Sequence, residues 1–254
     1  MASRVLNTSQ DGFNLLQAEI VPEEASRFPI RASEIFHSTS HRCVRPQYDP
    51  FDGLRVLVCF PSKKPLKNAP MLHWLQDLLR ETLGSSKKIT YDQFCYNVTD
   101  TGVGEQPFHS YRRHGGKVGA VQRIKKGLPE IQDMISDYHA VFFMSVESDI
   151  DTRDSPFFDK ANIILFEYHS RYTAGVMSRG PSVQPELLEL ASAEKTYGKV
   201  LAEKFGIPPD DWHAIVCKDQ KRLNSRTAFI SDALNLLISR NQMENVFAFC
   251  LYAR

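Results

Sequence analysis

Apolar positions along the chain alternate between two spacings. Leu54 to Phe60 is a continuous apolar, β-branched run bounded by Gly53 and Pro61, the pattern of a strand buried on both faces. A polar loop follows. Beyond Pro70, residues Leu72, Leu75, Leu78, Leu79 and Leu83 then recur at mostly three- and four-residue steps until Gly84, which predicts an amphipathic helix with Pro70 in its first turn. Ala140–Val146 and Ala161–Phe166 read as further buried strands, and the acidic segment from Asp149 to Asp159 reads as the long turn of a hairpin between them. Pro185 to Phe205, closed by Gly206, predicts one long amphipathic helix. His213–Cys217 predicts a strand, Thr227–Ser239 a helix, and Val246–Tyr252 a closing strand.

This alternation predicts an α/β domain over residues 54–254, a mixed, twisted sheet flanked by helices. Residues 1–53 carry isolated apolar positions with Pro22, Pro29, Pro46 and Pro50, and read as an irregular N-terminal arm. At 254 residues with 42% hydrophobic content, the chain can bury a substantial core. Its 31 Lys and Arg against 30 Asp and Glu leave no global field to recruit nucleic acid or an anionic membrane, so neither is an expected partner. No run approaches the roughly 20 apolar residues of a membrane span, and the start lacks the basic-then-apolar order of a secretory signal, which predicts a cytoplasmic protein. Five cysteines with no CxxC pair predict reduced thiols.

Three places concentrate chemistry. The loop after the first strand, Ser62-Lys63-Lys64-Pro65-Leu66-Lys67, offers a hydroxyl and three ammonium groups just ahead of a helix N-terminus, which suits an anion. Glu147 closes an apolar strand, where a carboxylate can reach a cleft and hold a hard cation; Asp149 and Asp151 are secondary candidates. Arg226, next to a predicted helix start, can make forked hydrogen bonds to phosphate.

A series of short motifs spans residues 54–238. The Ser62–Lys67 loop is followed by Gly102-Val103-Gly104-Glu105-Gln106-Pro107-Phe108, Gly119-Ala120-Val121-Gln122-Arg123, Val146-Glu147-Ser148-Asp149-Ile150, Tyr197-Gly198-Lys199-Val200 and Leu223-Asn224-Ser225-Arg226. In order and content the series resembles the inosine/xanthosine triphosphatases, a family of non-canonical purine NTP phosphatases, and the related C-terminal domain of the proline-rich coiled-coil proteins. Asp211-Trp212-His213 is nearer the latter branch. The resemblance implies a cleft that binds a nucleotide or another phosphorylated small molecule. Ser62, Lys64, Lys67, Arg123 and Arg226 would hold phosphate, Glu147 would hold Mg²⁺ and polarise the attacking water, and the protein would form a homodimer by analogy. Glu105 and Gln106 are expected to organise their loop more than to touch ligand.

Two stretches depart from the family pattern. After Q-P-F, where the family carries a glycine and an acidic pair near the metal, this chain reads His109-Ser110-Tyr111-Arg112-Arg113-His114. The family's K-x-G-A-I-G-x-x-T-x-G stretch is replaced by His213 to Lys221, without its glycines and threonine. Three readings stand. The chain is a Mg²⁺-dependent phosphohydrolase acting on ITP or XTP, or a catalytically degenerate relative serving as a protein-interaction or ligand-sensing module, or a repurposed enzyme that uses the cleft on another small molecule.

Overall fold

The computed structural model describes residues 25–36, 53–104, 106–110, 113–192, 195–209, 212–213 and 226–252. Its strands are β1 (Ser26–Phe28), β2 (Leu54–Phe60), β3 (Ile89–Cys95), β4 (Phe108–Ser110), β5 (Arg113–His114), β6 (Ala140–Asp151), β7 (Phe157–Glu167), β8 (Thr173–Met177) and β9 (Ser182–Val183). Its helices are α1 (Ala32–Ile35), α2 (Pro65–Leu83), α3 (Gly115–Gly127), α4 (Pro185–Leu188), α5 (Tyr197–Phe205), α6 (Arg226–Leu234) and α7 (Arg240–Tyr252). This is the expected α/β class, with one mixed sheet in the order β1-β8-β7-β6-β2-β3. β2 runs parallel to β3 and β6, while β6, β7 and β8 form an antiparallel meander. None of the described helices is long and apolar enough to cross a membrane.

Helices cover both faces of the sheet, so its central strands need apolar residues at consecutive positions. Val56, Val58, Phe60, Phe142 and Met144 face α2, α6 and α7. Leu57, Cys59, Val141 and Phe143 face α3 on the other side. A third, smaller cluster joins Ile150 and Val183 to Leu187, Tyr197, Leu201 and Trp212 beneath the far half of the hairpin.

β6 is 12 residues long and reaches past its parallel neighbour. It pairs with β2 through Ala140–Phe143 and with β4 from Ile150, so Met144 to Asp149 have no strand on that edge among the described residues. The sheet forks there, and the fork is the floor of a cleft.

The predicted hairpin is present, but its strands extend into the segment expected to be turn. Asp149 is fully buried, accepting from the Gly116 N–H and from Asn162, both at 2.8 Å. Asp151 pairs with Lys160 at 3.1 Å and Arg153 at 2.6 Å. These partners let carboxylates occupy interior strand positions that their charge argues against.

Other expectations need correction. Val246–Tyr252 is helix, not strand. Met243, Val246, Phe247 and Cys250 bury one helical stripe, which a short apolar run alone does not distinguish from a strand. The predicted helix from Pro185 to Phe205 is broken: α4 stops at Leu188, and α5 restarts behind a Thr196 cap and exits through Gly206 at φ +67°. α2 opens at Pro65 rather than Pro70. Within residues 1–53, Ser26–Phe28 adds an edge strand to β8, so the expected irregular arm contributes to the sheet. Trp212 and His213 are helical, and the rest of the predicted strand at 213–217 lies outside the described residues.

Phe247 is 1% exposed, its ring centroid 5.9 Å from that of Phe142. Phe247→Ala is expected to lower stability by about 3–5 kcal/mol, read as a drop in the urea midpoint at constant m-value. A loss below about 1 kcal/mol would mean that the C-terminal helix does not close the core.

Candidate functional site

The fork opens into a cleft of about 670 Å³. Ser62, Lys64, Lys67, Arg123, Glu147 and Arg226, the six site residues expected from sequence, all line it. They come from the β2–α2 loop, from the first turn of α2, from α3, from the middle of β6 and from the start of α6. The cleft lies beyond the carboxyl ends of the parallel strands β2 and β3, the side on which open α/β sheets take ligands.

The cationic wall is built by local constraints. The Ser62 hydroxyl accepts from the Lys64 N–H at 3.1 Å, and Asn68 donates to the Ser62 carbonyl at 2.7 Å, folding the loop back onto the first turn of α2. Pro70 has no N–H to give the Leu66 carbonyl four residues earlier. That carbonyl instead accepts from the Thr227 hydroxyl at 3.3 Å. The proline thereby ties the start of α6 to the start of α2 and brings Arg226 into electrostatic contact with Lys67. Burial and the charge of Arg226 push the Lys67 ammonium down from its ordinary 10.5 to about 8, aided by Arg123 and Lys64 and opposed by Glu147. Among the described residues Lys67 makes no side-chain hydrogen bond or ion pair.

Glu147 lies inside β6 rather than at its end, 7% exposed in the unpaired stretch of the fork. Its carboxylate is taken by Arg123, whose Nε donates to Oε2. The G-A-x-x-R spacing explains the contact. A Cβ on Gly119 would lie 2.9 Å from Glu147 Cγ and 3.0 Å from Val103 Cγ2, so only glycine lets α3 approach β6 this closely. Arg123, one turn later, then reaches the carboxylate. Its Nη1 also donates to the carbonyls of Val98 at 3.0 Å and Pro61 at 3.4 Å, pinning the ends of β2 and β3 to β6.

The opposite wall is set by the loop before β4. Gly102 and Gly104, at φ +75° and +79°, make the turns of the G-V-G-E-Q-P-F element. Gln106 Oε1 accepts from the Tyr197 N–H at 3.0 Å and so caps the start of α5. Gly198 packs against Pro209 and Trp212, where a Cβ would come within 2.3 Å of the Pro209 carbonyl oxygen. The start of α5 therefore borders the cleft and adds Lys199 to its lining. Deeper in this wall, Asp159 Oδ2 lies 2.6 Å from His213 Nε2 and 3.4 Å from Arg226. Burial pushes the Asp159 carboxyl up, but the hydrogen bond from His213 and the charges of His213 and Arg226 hold it below the ordinary carboxylate range.

Lys63, Lys64, Lys67, Arg123, Lys199 and Arg226 thus face Glu147 and Asp159, and both carboxylates already have cationic partners. As arranged, this donor set does not fit a divalent cation, which needs several free oxygen ligands. Asp149 and Asp151 do not line the cleft and are held by the strand partners described above. Among the described residues no three His, Cys, Asp or Glu side chains are grouped to hold a metal ion. His109 and His114 are backbone register partners in the β4–β5 ladder.

Sequence reasoning did not single out Lys199 and Asp159. Lys199 lies inside a quoted motif, but its place at a helix start was hidden by the expectation of one long helix. Asp159 was read as the end of a turn, and only its long-range partners His213 and Arg226 mark it.

No protein-family model matches the chain, and neither does any curated protein. Among solved structures, protein VC0702 from Vibrio cholerae aligns over 78% of this chain and 99% of its own, at 16% identity and a TM-score of 0.47.

Lys67 is expected to titrate near 8, separated from other lysines in NMR spectra of the ¹³C-methylated protein, and Arg226→Met should move it upward. Because the folded state disfavours the charged amine, Lys67→Met should stabilise the protein at pH 7, and the gain should shrink between pH 8 and 10.5 as the wild-type amine deprotonates. A Lys67 resonance at its ordinary position would contradict this electrostatic description.

Proposed function

We propose that this protein binds a polyphosphorylated small molecule in the cleft, with a purine nucleoside triphosphate such as ITP or XTP as the ligand class implied by the family resemblance. The observation that carries this reading is the charge of the cleft: six cations face two carboxylates that are already ion-paired, and Lys67 has no partner among the described residues. Gathering like charges around a partly buried lysine opposes folding, and a polyanion reverses that cost on binding. The starts of α2 and α5 add N-terminal partial charge on two sides of the same space.

Of the readings open at the sequence level, ligand sensing without turnover is favoured by the contacts of the two cleft carboxylates. Glu147, the carboxylate that would hold a metal and its water, is engaged by Arg123, and Asp159 is engaged by His213 and Arg226. Among the described residues, no cleft carboxylate is left without a cation to act as a general base.

The test is a panel of ITP, XTP, GTP and ATP with inorganic tripolyphosphate, with and without Mg²⁺ or Mn²⁺, followed by thermal unfolding and by phosphate and pyrophosphate release. At about 100 times its dissociation constant a ligand adds about 2.7 kcal/mol to stability, a shift of several degrees for a chain of this size. The expected result is stabilisation without turnover, lost in Lys67→Met and Arg226→Met. Metal-dependent turnover abolished by Glu147→Gln would restore the phosphohydrolase reading. An unchanged unfolding temperature with every compound would remove the polyphosphate reading altogether.

A further inference from the structure

The Arg123–Glu147 pair bears on the form in which the ligand enters. A carboxylate this deeply placed needs a cationic partner, and enzymes that handle triphosphates commonly use a divalent ion both for that purpose and to offset the ligand's charge. Here a guanidinium occupies one Glu147 oxygen and is itself fixed by the Val98 and Pro61 carbonyls. Gly119 holds its helix against β6, so Arg123 is not a surface side chain free to swing aside. A divalent ion on the other Glu147 oxygen would sit beside that guanidinium and close to the Lys67 ammonium, which already interacts electrostatically with Glu147. Such an ion meets repulsion where a metal site needs attraction. Asp159 offers no alternative, since His213 and Arg226 share one of its oxygens.

We infer that Arg123 takes the charge-neutralising role of a divalent ion, so that the cleft binds its polyanionic ligand in the metal-free form. This rests on the polyphosphate-binding reading above and adds the species bound. A polyphosphate chelated to Mg²⁺ has lost two units of charge and part of its oxygen surface to the ion, so it interacts less strongly with a wall of lysines and arginines. Arg123 Nη2, which has no hydrogen-bond partner among the described residues, remains to meet a phosphate oxygen. Glu147 then sets the strength of the site through the part of the Arg123 charge it offsets.

The experiment is calorimetric titration of the full chain with inorganic tripolyphosphate and with ITP, once in EDTA and once in saturating Mg²⁺, alongside MgCl₂ alone. The expected result is binding in EDTA at least tenfold tighter than in Mg²⁺, and no heat from MgCl₂. Glu147→Gln is expected to tighten the EDTA titration several-fold, because it removes a negative charge and releases Arg123. A metal-ligand role for Glu147 predicts instead that Glu147→Gln weakens the titration in Mg²⁺. Binding that requires Mg²⁺, or is equal or tighter with it, overturns this inference and leaves polyphosphate binding standing. Absence of binding in both buffers overturns the polyphosphate reading and this inference with it. Should Glu147→Gln fail to fold, as judged by circular dichroism, the wild-type comparison between the two buffers decides alone.

Discussion

β6 runs on after β2 has ended and before β4 begins, and something other than a strand must close that edge of the sheet. The Arg123–Glu147 pair does so, with a side chain from α3 reaching into the fork and fastening the ends of β2 and β3 to β6 through two carbonyls. A forked sheet necessarily has a recess. Here the recess is walled by the charged pair that closes the fork and by further cations from α2, α5 and α6 and the loop after β2. Because Gly119 has no side chain, the helix can stand close enough for one arginine to serve all three segments.

Around that pair the charges are arranged against stability. Lys67 is held near Arg226, Arg123 and Lys64 with no paired anion among the described residues, and burial together with these charges pushes its ammonium down to about 8. Thr227 adds to the packing of α2 on α6 by donating to the Leu66 carbonyl that Pro70 leaves open. A fold selected for stability alone would relax such a cluster. Its persistence next to an open cavity is the reason for reading the cavity as a site. The opposite wall is quieter: Gln106 caps α5, Thr196 caps it again, and Trp212 stacks on His213 at 4.1 Å behind the surface.

Much of this was legible in the sequence, because the motifs are local. Ser62 and Lys64 stand in a loop between an obvious strand and an obvious helix, and Lys67 stands in that helix's first turn, so their common position needed no long-range information. Arg123 and Arg226 were located by their place in short motifs, and the cleft does contain both. What escaped was set by distant partners. Glu147 was read as a strand end because a charge normally stops an apolar strand, whereas Arg123 lets the strand continue. Asp149 and Asp151 were read as turn residues for the same reason, and Asn162, Lys160 and Arg153 overrule it. The C-terminal apolar run has a length that suits a strand or a helix, and packing against the α2 face decided for the helix. Beyond the break that follows α4, the start of α5 rests on Gln106, a contact across 91 positions that no local pattern announces.

The most direct test of a cationic cleft built around the fork is a crystal of the protein soaked in tungstate, a heavy tetrahedral oxyanion located by its anomalous signal. The account predicts a strong peak inside the cleft, within hydrogen-bonding distance of Lys67 and Arg226 and facing the first turn of α5. Peaks confined to exposed lysines elsewhere on the surface, with the cleft empty, would contradict it.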